Sequence, residues 1–213
     1  MANVKGRGVR VEIAATYGTP VTVTAVTLAS PGVATSAAHG QANNTVGFWS
    51  GVSGMAQIEG QATRVKNTTA NTFDLQGLNT TNFSAFTAGV FTPVATWQTF
   101  SEATSYDIGG GAAEKLNVTR LIDITTQEEQ GLLPVGNVSL DVIAQDIPSA
   151  AMLLLESAVQ TQGAVVVRIT LPTGPVRVFR GDPGLPGESV AQGAVGTGSL
   201  DITVKGFVLK LAA

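Results

Sequence analysis

Two alternating segments and one amphipathic run between residues 115 and 163 organise the chain. In the first segment Leu116, Val118, Ile122 and Ile124 fall on one side and Asn117, Thr119 and Asp123 on the other, which predicts a half-buried strand. The second sets Val138, Leu140, Val142 and Ala144 against Ser139, Asp141 and Gln145. It breaks at Asp146-Ile147-Pro148 before a run, 149–161, in which Met152, Leu155, Ala158 and Val159 share a face widened by Leu153 and Leu154. That run predicts a short helix, capped by Asp146, opened by Pro148 and closed by a left-handed Gly163.

Strands surround this unit. Val9, Val11 and Ile13 alternate with Arg10, Glu12 and Ala14 in a first strand that stops at Gly18-Thr19-Pro20. The next seventy or so residues are nearly uncharged and rich in Thr, Ala, Asn and Gly: strands are expected at 21–28, 45–50, 55–60, 62–66 and 72–75. A polar loop at 34–44, a turn at 51–54, a hairpin connection at 67–71 and a packed loop at 79–89, carrying Phe83 and Phe86, separate them. Longer strands return at 94–100 and 105–108, before Gly109-Gly110-Gly111. After the helix, 164–171 and 175–180 flank the turn Pro172-Thr173-Gly174, and 182–196 is a glycine- and proline-rich loop. The closing strand, 200–211, changes parity at Gly206, from Leu200, Ile202 and Val204 to Phe207, Leu209 and Leu211, which predicts a bulge. The expected organisation is a discontinuous main domain, 1–18 and 95–213, with a small all-β domain, 19–94, inserted into it.

Composition supports a mainly β chain with a substantial core: of 213 residues, 44% are hydrophobic and 13% charged. The net charge of −3, without a block of Lys or Arg, argues against a basic groove gripping nucleic acid phosphates. Cysteine is absent, so disulfides and thiolate chemistry are excluded. The N-terminus lacks an apolar signal core and no stretch approaches the roughly 20 apolar residues of a membrane span, so a soluble protein made in a cytosol, without membrane insertion, is expected.

Chemistry is hard to find. His39 stands in a loop with no second ligand at metal spacing. No Gly-x-Ser-x-Gly elbow marks a nucleophile, and Gly109-Gly110-Gly111 is followed by neither Gly-Lys-Ser/Thr nor a helix. The collagen-like 181–187 is too short for a triple helix. Glu128 and Glu129 are adjacent, so on a strand they diverge and in a turn they meet solvent. No catalytic residue, metal or cofactor is expected; a building block fits better than an enzyme.

The succession 121–126, the acidic 127–131, Gly136 to Val142, the helix ending at Gln162-Gly163, the 164–180 hairpin and the closing strand with Val204-Lys205-Gly206 resembles the tail tube proteins of long-tailed bacteriophages. Separately, 71–81 and Phe86-Thr87-Ala88-Gly89 are similar to a small β module that recurs as an insert in phage structural proteins. The first resemblance implies a β-sandwich or barrel-like domain with a flanking helix. It also implies homohexameric rings stacked into a tube in the virion tail, with tape measure, terminator and baseplate proteins as partners. DNA would pass through the lumen without sequence-specific binding. On that basis Asp123, Glu128, Glu129 and Asp141 are candidates for an acidic or neutral lumen lining, since like charge keeps a polyanion from sticking. Asp182, Gly184, Gly187 and Glu188, with the N-terminal arm, are candidates for contacts between rings. The alternatives are a capsid decoration or other tail protein, or a glycan-binding, adhesin-like module using Trp49 and Trp97.

Overall fold

The computed structural model describes residues 7–110, 114–122, 124–131, 136–144 and 148–213. The strands are β1 (Arg10–Tyr17), β2 (Val21–Val23), β3 (Ala25–Val26), β4 (Val33–Thr35), β5 (Val46–Ser53), β6 (Ala62–Lys66), β7 (Thr72–Gln76), β8 (Ala88–Thr99) and β9 (Ala103–Gly109). They continue with β10 (Lys115–Asn117), β11 (Glu128–Gln130), β12 (Asn137–Ile143), β13 (Val165–Thr170), β14 (Val176–Pro183) and β15 (Thr197–Leu211), with the helix α1 (Ala150–Gln160) before β13. All but β10 and β11 belong to one curled sheet, ordered β3-β4-β7-β6-β5-β8-β1-β13-β14-β15-β12-β9, with β2 also on β8. The chain is mainly β, as its alternation predicts.

β8 is the spine. Its first half, to Pro93, pairs with β2 and β5, and its second half, from Val94, pairs with β1. The N–H of Gly18 donates to the carbonyl of Pro93 at 2.8 Å, where the chain passes from one half to the other. Two apolar clusters lie on opposite faces of the central strands. One gathers Val11, Ile13, Val138, Leu140, Val167, Phe179, Leu200 and Ile202 around Ala151 and Leu155 of α1. The other packs Trp49, Phe73, Phe91, Met55 and Ile58 against Val166, Val178, Leu209 and Leu211. Val165-Val166-Val167 is therefore buried on both sides, which is why β13 has a continuous apolar run where half-exposed strands alternate.

Side chains lock the two halves together. At the bulge in β15, Gly206 has φ +80°, and Arg180 pairs with Lys205 whereas Val178 pairs with Leu209. The fully buried Gln61 supplies the missing ladder: its Oε1 accepts from the N–H of Phe207 at 2.6 Å and its Nε2 donates to the Phe207 carbonyl at 2.8 Å. Arg64 donates to Gln76 Oε1 and, at 2.7 Å, to the carbonyl of Ala212. The Arg180 guanidinium lies 4.2 Å over Phe48; burial lowers its pKa, while Tyr17, Asp182 and Glu59 act in the other direction. Arg168 bridges to the buried Glu12 at 2.8 Å and covers Trp97.

Several expectations are corrected. Residues 55–60 are not a strand: Ala56–Ile58 is a 3-10 turn, whose period puts Met55 and Ile58 into the same core. The strand expected over 21–28 divides into β2 and β3, and β4 enters the expected loop at 34–44. α1 is capped by Ser149, whose Oγ accepts from the N–H of Met152; Asp146 lies outside the described residues. The helix closes with Gln162, not Gly163, in the left-handed region at φ 53°. The N–H of Gly163 reaches the Ala158 carbonyl and that of Gln162 the Val159 carbonyl, the paired bonds of a Schellman end. His39, by contrast, stays in a loop as expected: it is buried, with Nδ1 accepting from the N–H of Gln41, Nε2 against the Thr72 carbonyl and an edge-to-face contact with Phe73.

Candidate assembly surface

The strand order ends at β9, so among the described residues no strand lies along its outer row of backbone donors and acceptors. Next to it, β12 turns Val138, Leu140 and Val142 inward and Asn137, Ser139 and Asp141 outward. Register places Ser139 between Asp107 of β9 and Asp201 of β15, and Asp141 between Ser105 and Ser199. The outward face of these three strands is thus mostly polar and carries Asp107, Asp141 and Asp201; the next outward position of β15 beyond Thr203 is Lys205, and the exposed Ile143 ends the row on β12. Ser105 donates to Asp141 Oδ2 at 2.5 Å, and Asn137 Nδ2 lies 3.4 Å from Asp201 Oδ1. Of this trio only Asp141 is among the residues expected from sequence. The alternation of Ser105 and Asp107 against Tyr106 and Ile108, and of Ser199 and Asp201 against Leu200 and Ile202, was the available signal for the others.

The expected strand over 116–124 is instead a short ribbon. β10 pairs only with β11, over Lys115 to Asn117, and all the paired residues are exposed. The ladder reaches one bond further, the N–H of Val118 donating to the Gln127 carbonyl at 2.9 Å, but Asn117 Oδ1 accepts from the N–H of Thr119 and Thr119 Oγ1 from the N–H of Gln127, so side chains take the next backbone donors. The apolar residues beyond are left in solvent: relative exposure is 110% for Leu121, 85% for Ile122 and 101% for Ile124. Glu128 is paired with Lys115 at 2.7 Å, and Glu129 stands opposite Leu116. The predicted lining residues are therefore not one cluster: Asp141 is on the sheet, Glu128 and Glu129 are on the ribbon, and Asp123 lies outside the described residues.

The expected loop 182–196 is largely an arm laid along β15. The N–H of Gly184 donates to the Asp201 carbonyl at 2.7 Å, that of Gly187 to Ser199 at 2.9 Å, and Ser189 and Thr197 exchange two bonds. Gly198 lets the Gly187 carbonyl approach where a Cβ would stand. Asp182 is ion-paired with Lys205 at 3.0 Å, while Glu188 is exposed, as are Leu185, Val190 and Val195 around the tip.

Neither tryptophan offers a sugar platform. Trp49 is fully buried with its Nε1 donating to Thr63 Oγ1 at 3.0 Å, and Trp97 lies beneath Arg168. Among the described residues, no three His, Asp or Glu side chains gather as a metal site, and no helix is long and apolar enough to cross a membrane.

No curated protein matches the chain. A family model described as phage tail tube protein (TTP) matches residues 53–185, from the end of β5, across the spine strand, the ribbon and the helix, to the arm beyond β14. That span takes in more than half of the chain, and the protein belongs to the phage tail tube family, structural components of the virion tail.

Proposed function

We propose that the chain assembles into hexameric rings that stack into a tail tube through which DNA is ejected. The observation that carries this is the apolar ribbon tip: Leu121, Ile122 and Ile124 have no cover among the described residues of their own chain, and exposed apolar groups of this kind mark sites of association. The unpaired edge of β9 supports it. A head-to-tail contact that closes by rotation gives a ring, and a neighbour's strand along β9 removes the free edge.

In this arrangement the plane of Asp107, Asp141 and Asp201 faces the lumen, and Glu128, Glu129 and Asp123 border it. Like charge repels the phosphate backbone and favours passage over capture. The arm carrying Asp182, Gly184, Gly187 and Glu188 meets the next ring through its tip, and residues 19–94 act as an inserted module on the tube wall. Tape measure, terminator and baseplate proteins complete the tail, assembled in the bacterial cytoplasm. Electron microscopy of the purified chain tests the proposal: tubes or rings of constant diameter are expected, and particles that remain monomeric at high concentration would overturn it.

A further inference from the structure

Glu102 sits in the turn between β8 and β9, 3% exposed. Its Oε2 accepts from Ser101 Oγ at 3.2 Å, but its Oε1 is buried and has no hydrogen-bond partner among the described residues. A buried carboxylate oxygen left unpaired is costly, and in native proteins such a group generally has a partner. Glu102 lines an open pocket of about 140 Å³ bordered by the end of β12, the start of α1 and residues 186–188 of the arm. Glu156 and Glu188 also line it, and among the described residues no Lys, Arg or His does. The remaining wall is mostly apolar, with Val142, Pro148, Met152 and Pro186.

We infer that this pocket receives a Lys or Arg side chain from a second copy of the chain, with Glu102 as its buried anchor. The pocket combines what such a side chain needs: apolar walls for the methylene stem and carboxylates for the cationic head. A chelated metal fits less well, since the three carboxylates do not converge as a metal-binding group. Among the described residues no cation lines the pocket, which points to a cation from outside the protomer; the choice of a second copy rests on the proposed self-assembly. An ion pair there ties the helix and arm of one protomer to its neighbour, and it is made only on assembly.

Two measurements test this on the full chain. In dilute protein, methylguanidinium is titrated while the amide resonances of Ser149, Met152 and Gly187 are followed. Saturable shifts in the wild type that weaken on the order of tenfold in Glu102→Gln are expected; shifts that never saturate, or that are equal in the variant, overturn the cation site. In assembly assays Glu102→Gln and Glu156→Gln should each raise the protein concentration needed for tubes, with circular dichroism confirming an intact fold. Wild-type and variant tubes forming at one concentration would rule out the second copy as donor and leave the tube proposal standing. A wild-type chain that never assembles sinks the tube proposal and the second copy with it, while the titration still decides the site.

Discussion

Replacing Leu121, Ile122 and Ile124 together by Ser separates folding from assembly. All three side chains are almost wholly in solvent, so the isolated chain loses no packing and its stability should change by no more than about 0.5 kcal/mol. Assembly is different. Burying an aliphatic side chain is worth about 1.5–3 kcal/mol, and partial burial of three at a subunit contact amounts to about 4 kcal/mol. At 1.4 kcal/mol per factor of ten, the concentration needed for tube growth should rise about a thousand-fold. Sedimentation of assembled material over a protein dilution series reads that concentration, and a thermal melt of the dilute variant reads the fold. Tubes at the wild-type concentration would refute the reasoning, and so would a variant that fails to assemble because it has unfolded.

Gln61→Ala leaves the Phe207 amide and carbonyl unpaired at the bulge, and should cost about 2 kcal/mol in chemical denaturation; an unchanged midpoint would show that the bulge does not depend on that side chain. Gln162→Gly relieves a left-handed residue at the helix end and should stabilise by about 1 kcal/mol, read as a higher melting temperature. Replacing the arm tip, 190–195, by a two-residue turn should keep the monomer folded but give rings or short stacks by electron microscopy, and long tubes would count against the arm as the contact between rings. Changing Asp107, Asp141 and Asp201 to Lys should leave tubes that retain DNA at low salt and release it at high salt; tubes indifferent to DNA would argue that this plane does not face the lumen.

What could be read from the residues depended on whether one face of an element is covered by its own chain. β12 and β15 alternate because a core lies on one side only, and the break at Gly206 showed the bulge directly. The same alternation at 116–124 misleads: among the described residues no layer of this protomer covers Leu121, Ile122 or Ile124, and the Asn117 and Thr119 side chains take backbone donors before the strand extends further. Apolar periodicity records burial, including burial against other molecules, and does not say whose surface does the covering. The acidic plane was only one-third legible, because placing Asp107 and Asp201 beside Ser139 requires strand register. Gln61 bonding to Phe207 carries no sequence signal at all, since the two are 146 positions apart. At the end of α1, Gly163 drew attention by residue type, yet the Schellman geometry put Gln162 in the strained position one residue earlier.

Completion of the β9 edge and the ribbon tip by further copies of the chain can be followed by hydrogen–deuterium exchange across an assembly series. Amides along β9 and through 115–130 should exchange freely in dilute protein and become protected in step with tube formation, while β13, covered on both faces, stays protected throughout. Protection of β9 and the ribbon already in the monomer, or free exchange there in assembled tubes, would contradict the account.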